Sequence, residues 1–131
     1  MKIKSKKWIE RENLRIWREE VLKRDKGLCQ ICMKKPNMQH IHHIIPRKVK
    51  ELRYDVMNGI TLNFYYHKVG KNSAHQNALF FSSWLRKNKP KQYKYLMRFV
   101  NLSTRKMKEI KIKKNATNTN KNNHFSISRC N

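Results

Sequence analysis

Acidic side chains are scarce in this 131-residue chain: eight Asp and Glu stand against 32 Lys and Arg, a formal net charge of +24 before histidine is counted. Between Lys26 and Lys108 only Glu51 and Asp55 are acidic. A centre that gathers several carboxylates around two metal ions is therefore poorly supported. Cysteine is scarce too. Three of them, an odd number without a framework of spaced pairs, argue against a secreted disulfide scaffold and for a reducing compartment. No apolar run approaches membrane-spanning length, and the basic stretch Met1 to Trp8 is not followed by an apolar segment of signal-peptide length. The expectation is a soluble cytoplasmic protein with no membrane partner, in which Asn115-Ala116-Thr117 is not a glycosylation acceptor.

Only 38% of residues are hydrophobic and the mean hydropathy is -0.93, yet three Trp, five Tyr and five Phe suffice for one modest core. One folded domain is expected over 1–103, followed by a disordered basic tail over 104–131, where apolar residues thin out and five of the nine residues from Asn115 to Asn123 are Asn. A charge of +24 repels itself unless a polyanion neutralises it, which points to nucleic acid and away from a small-molecule substrate. The alternative is codon bias, since Lys and Asn are both plentiful. Against it, Phe81 to Lys114 holds twelve Lys and Arg and a single Glu.

Leu14, Trp17 and Val21 recur at helical spacing between Glu10 and Arg24, with Gly27 as a stop. Gln39 to Ile45 and Gly59 to Leu62 read as two short strands of a hairpin, the first ended by Pro46. Asn63 can cap a short helix carrying Phe64, Tyr66 and His67 that Gly70 ends. Ser73 to Gln76 reads as a capping box for a helix with Ala78, Leu79, Phe81, Trp84 and Leu85 on its apolar face. Lys89-Pro90 stops that helix, and Lys91 to Asn101 resumes helical spacing.

Five of the six histidines, His40, His42, His43, His67 and His75, fall within 36 residues. With so few carboxylates, chemistry here has to run on imidazole, as a one-metal site with His ligands and a His base. His42-His43, fourteen residues, Asn58, eight residues, His67: this arrangement resembles the HNH (ββα-metal, His-Me finger) nuclease motif, over a core of 27–75. The similarity takes in Trp17 to Cys32, His42 to Pro46, Leu52 to Leu62 and His67.

The resemblance implies an α+β fold with a ββα-metal core and flanking N- and C-terminal helices. It implies a divalent-metal-dependent DNA endonuclease that leaves 5′-phosphate and 3′-hydroxyl ends on double-stranded DNA. His42 and His67 would hold one cation, Mg²⁺ first, with Mn²⁺, Ni²⁺ or Zn²⁺ as substitutes. His43 would be the general base, and Asn58 would brace the backbone near it, although Asn-Gly alone also reads as a type I′ turn. His40 is expected at the surface or on the substrate side. His75 is expected as a helix N-terminal polar group or a phosphate contact. Small free-standing members of this look are similar to phage-encoded and homing-type nucleases, which would act in a bacterial host's cytoplasm.

One departure stands out. Many such proteins carry two Cys-x-x-Cys pairs around a structural zinc; here Cys29 and Cys32 form the first, but Asn63 and Tyr66 stand where the second would be. Two thiolates do not close a four-ligand site, so structural zinc is expected to be absent, with Phe64, Tyr65 and Tyr66 packing in its place; the alternative is that His40 and another residue complete an unusual site. The loss also supports a rival reading, a non-catalytic nucleic-acid-binding module on a degenerate HNH scaffold. A toxin-like nuclease would need an acidic neutralising partner.

Overall fold

The computed structural model describes residues 3–102. The tail expected over 104–131 lies outside the described residues. The chain groups into Met1–Leu96 and Met97–Asn131; the first is described here, and of the second residues 97–102 are helical.

The first unit is α+β, in the order helix, strand, strand, helix. Helix α1 spans Lys6–Arg24, starting four residues before the expected Glu10 because the Ser5 hydroxyl accepts from Trp8 N and caps the end. Strand β1 is His40–His43 and β2 is Gly59–Leu62, antiparallel, with His40 opposite Leu62, Ile41 opposite Thr61, His42 opposite Ile60 and His43 opposite Gly59. β2 matches its expected bounds. β1 is shorter than Gln39 to Ile45, because Ile44 N and Ile45 N turn away to bond the Asn58 carbonyl and side chain. Asn58-Gly59 is no type I′ turn: neither residue has positive φ. Gly59 is needed for a different reason, since a Cβ there would collide with Val21 and come within 2.8 Å of Trp17 Cζ2.

A two-stranded sheet is marginal alone and presents unpaired groups at its edges. Here side chains occupy that role along β2: Asp25 accepts from Thr61 N at 2.8 Å, and Arg24 and Gln92 both donate to Gly59 O. Trp17 and Val21 of α1 cover one face of the sheet. On the other face Ile60 and Leu62 pack with Cys29, Ala74, Phe81 and Leu85.

After β2, a π-helical turn spans Tyr65–Val69, entered by the Asn63 carboxamide accepting from Tyr66 N and closed at Gly70. Ser73 to Gln76 is not the start of the next helix. Ser73 accepts from Gln76 N within an isolated turn, and α2 spans Ala78–Asn88 with Asn77 as its cap. Phe81 and Leu85 of α2 are buried, whereas Leu79, expected on the apolar face, is 86% exposed. Lys89 ends α2, and residues 90–96 are helical, with Leu96 buried.

Candidate active site

Successive strand residues point to opposite faces, and β1 uses both for its histidines. The His42 ring lies edge-on to Phe81 of α2 at 5.5 Å, while the His43 ring stacks on Trp17 of α1 at 3.8 Å and 13°.

On the α2 side, His42 meets His67 at 5.2 Å and His75 at 5.0 Å between ring centroids. One ligand nitrogen of each of these three residues lies within 4.8 Å of the others. His75, expected as a helix N-terminal polar group or a phosphate contact, stands within this cluster. Two backbone bonds bring it there, Ala74 N to Tyr66 O at 2.9 Å and His75 N to His67 O at 3.2 Å, which strap the Ser73 to Gln76 turn to the π turn. The eight-residue interval between His67 and His75 was the available clue, but it becomes meaningful only with the Gly70 and Ser73 turn between them.

Burial holds His42 down to about 3 and His67 to about 4, helped by the charge each imidazole would present to its neighbours. Both are neutral at pH 7, the state in which imidazole ligates a metal. His67 Nε2 faces His75 Nε2 at 3.1 Å, and its other nitrogen, Nδ1, meets His40 Nδ1 at 3.2 Å. His40 is thus half-buried behind a cluster residue rather than free at the surface. Three imidazoles and no carboxylate form a donor set suited to a borderline divalent cation such as Zn²⁺ or Ni²⁺, and less to Mg²⁺, which takes oxygen ligands.

On the α1 side, His43 Nε2 lies 2.8 Å from Arg53 O. A carbonyl only accepts, so Nε2 carries the proton and Nδ1 keeps its lone pair. Burial lowers the His43 pKa against the opposing pull of that carbonyl, and the charges of Arg47, Arg18 and Arg53 lower it further. Arg53 is itself held by Arg47 O and Glu10. The Trp17 indole that fixes the ring plane donates to Asp55 O at 2.8 Å. Nothing in the helical spacing distinguished Trp17 from an ordinary core residue.

Asn58 is fully buried and touches none of the histidines through a hydrogen bond. Its Oδ1 accepts from Ile45 N at 2.7 Å, and its Nδ2 donates to Ile45 O and Leu52 O, both at 3.0 Å. One carboxamide therefore ties the exit of β1, two residues beyond His43, to the turn that precedes Arg53.

Cys29 and Cys32 are free thiols, Cys29 fully buried in the core and Cys32 bonded at 3.6 Å by the Asn63 amide. Of the three aromatics expected to fill the knuckle, only Tyr66 packs against the core. Phe64 and Tyr65 remain 53% and 57% exposed, because the π turn projects them away from the sheet.

The family model described as HNH endonuclease matches residues 29–69. The match takes in Cys29, Cys32, the His42-His43 pair, Asn58 and His67, and stops short of His75. Comparison with curated proteins and with solved structures gave no match. The matched segment supports the HNH family, and with it a nuclease-type activity on nucleic acid aided by a divalent metal.

Proposed function

We propose that the chain is a divalent-metal-dependent HNH endonuclease that hydrolyses DNA phosphodiesters to 5′-phosphate and 3′-hydroxyl ends. The observation that carries this reading is the division of labour across β1: one imidazole with its Nδ1 lone pair available on one face, three imidazoles gathered on the other. Attacking and departing oxygens sit on opposite sides of phosphorus in an in-line displacement, so base and ligands are wanted on different sides.

In this reading His43 Nδ1 takes the proton of the attacking water, while Nε2–H stays on Arg53 O and Trp17 keeps the ring from turning. Asn58 is a positioning residue. His42, His67 and His75 hold the cation, which when bound stabilises charge on the phosphoryl and leaving oxygens. The third imidazole shifts the preferred ion from Mg²⁺ toward Zn²⁺ or Ni²⁺. Arg18 and Arg47, both exposed, bring positive charge to the base side, where a phosphate diester would arrive.

Purified protein and supercoiled plasmid, with and without EDTA, test this directly. Cleavage should require the added cation, the cut ends should be religated by DNA ligase, and His43→Ala should slow cutting by about 10²- to 10⁴-fold with DNA affinity unchanged. Activity persisting in excess EDTA would overturn the metal assignment. The half-lost zinc knuckle favours the non-catalytic alternative, and binding without cutting under Mg²⁺, Mn²⁺, Ni²⁺ and Zn²⁺ alike would establish it.

A further inference from the structure

Two of the aromatic rings that the core leaves exposed stand together. Phe64 and Tyr65 border a groove of about 570 Å³ whose other walls include Lys34, Lys35 and Met38, with no acidic residue lining it. Their orientation is fixed. Tyr65 lies against Gly70 so closely that a Cβ there would be 2.7 Å from its Cε1, and its edge meets Tyr66 at 5.3 Å and 86°. Phe64 sits 5.5 Å from the His40 ring, which is 5.1 Å from that of His67. The groove therefore opens two ring-to-ring steps from the histidine cluster.

We infer that this groove is a stacking shelf for an unpaired nucleotide base beside the phosphate to be cut, Phe64 and Tyr65 offering the ring faces and Lys34 and Lys35 the charge for its backbone. The inference rests on the nuclease reading for what the strand is doing there. Flat exposed rings interleaved with lysines match the chemistry of a single strand, whose every base has a face to stack and whose every linkage carries a negative charge. A base inside a duplex has both faces covered, so the shelf selects for a frayed, nicked or single-stranded stretch. Because packing against Gly70 and Tyr66 already holds the Tyr65 ring, little side-chain freedom remains to be lost on binding.

The test measures binding in EDTA, apart from any cleavage, with labelled oligo(dT) and a blunt duplex of the same length as probes. Phe64→Leu and Tyr65→Leu keep apolar bulk but remove the ring. Each should weaken oligo(dT) binding about 5- to 150-fold, the range typical for loss of one base–aromatic stack, and leave duplex binding unchanged. Phe64→Trp should retain the affinity. Gly70→Ala, at φ -64 a backbone that alanine adopts freely, should act like a Tyr65 variant by pushing the ring aside. Melting temperatures near wild type for the Leu variants establish that they fold, since both rings are exposed. Unchanged oligo(dT) affinity, or equal losses on single strand and duplex, would overturn the shelf even if the plasmid is still cut. Ring-dependent binding by a protein that cuts nothing would support the shelf and overturn the nuclease reading alone.

Discussion

The Nε2 proton of His43 is fixed by a carbonyl that can only accept, so His43→Gln and His43→Ala should differ little in rate: neither supplies a lone pair at the Nδ1 position. His42 and His67 give a second expectation, in the metal-free protein. Their folded-state values, about 3 and about 4, lie below the ordinary imidazole value near 6.5. The unfolded chain thus takes up protons that the folded chain refuses. Stability from this source is fully present above pH 6.5 and declines as pH falls toward 4. Thermal melts in EDTA should show the melting temperature dropping across that window, and the drop should shrink in His42→Phe, which removes the more strongly shifted group. A flat profile in the wild type would contradict the burial described for these rings. In the folded chain protons reach these two imidazoles only near pH 4 and 3, so their competition with Zn²⁺ should set in there, below that window.

The turn around Asn58 concentrates three hydrogen bonds on one buried carboxamide. Asn58→Asp keeps the shape but turns the donor into an acceptor facing Ile45 O and Leu52 O, and should destabilise the domain by about 2–4 kcal/mol as two carbonyls, one of them buried, lose their donor. Chemical denaturation measures that, and a change under about 0.5 kcal/mol would remove Asn58 as the brace. Cys29 and Cys32 should behave unequally: Cys29→Ser puts a hydroxyl in an apolar core at about 1–3 kcal/mol, whereas Cys32→Ser at its half-buried position should cost less. Elemental analysis should find no stoichiometric zinc that survives loss of His42 and His67.

What could be read from the sequence divides along physical lines. Gly59 to Leu62 was legible because a short β-branched run sits between Asn58 and Asn63. His42, His43, Asn58 and His67 were legible as a set because their intervals resemble the HNH motif; one hairpin and one turn carry all four. The end of β1 was not, since nothing local says that Ile44 and Ile45 serve Asn58 better than a strand partner. Nor was the start of α2, where Ser73 and Asn77 both offer a cap and only the bonds from Ala74 and His75 back to the π turn decide between them. The same bonds made His75 a cluster member.

For the whole molecule, charge is the dominant quantity. At +24, affinity for DNA should fall steeply with salt, log K dropping against log salt with a slope of about 0.9 for each phosphate that the protein neutralises. Deleting residues 104–131 removes Arg105, Arg129 and six lysines. That should flatten the slope by about 0.9 for each phosphate no longer neutralised, while leaving the melting temperature of the rest near its original value. An unchanged slope would mean that the segment never meets DNA and that its lysines reflect codon usage.

The histidines of the site occupy positions 40 to 75, but the side chains that hold them in place extend to Phe81 beside His42, Leu85 beneath the sheet and Gln92 on Gly59 O. During synthesis the ribosome therefore delivers the complete set of reactive groups before it delivers their support. A nascent chain stopped just after Asn77 would carry all of these imidazoles and yet have no scaffold to aim them, so the capacity to cut should appear only once residues through Leu96 have left the exit tunnel. Stalled chains of increasing length, assayed on plasmid, should show activity switching on over that short interval.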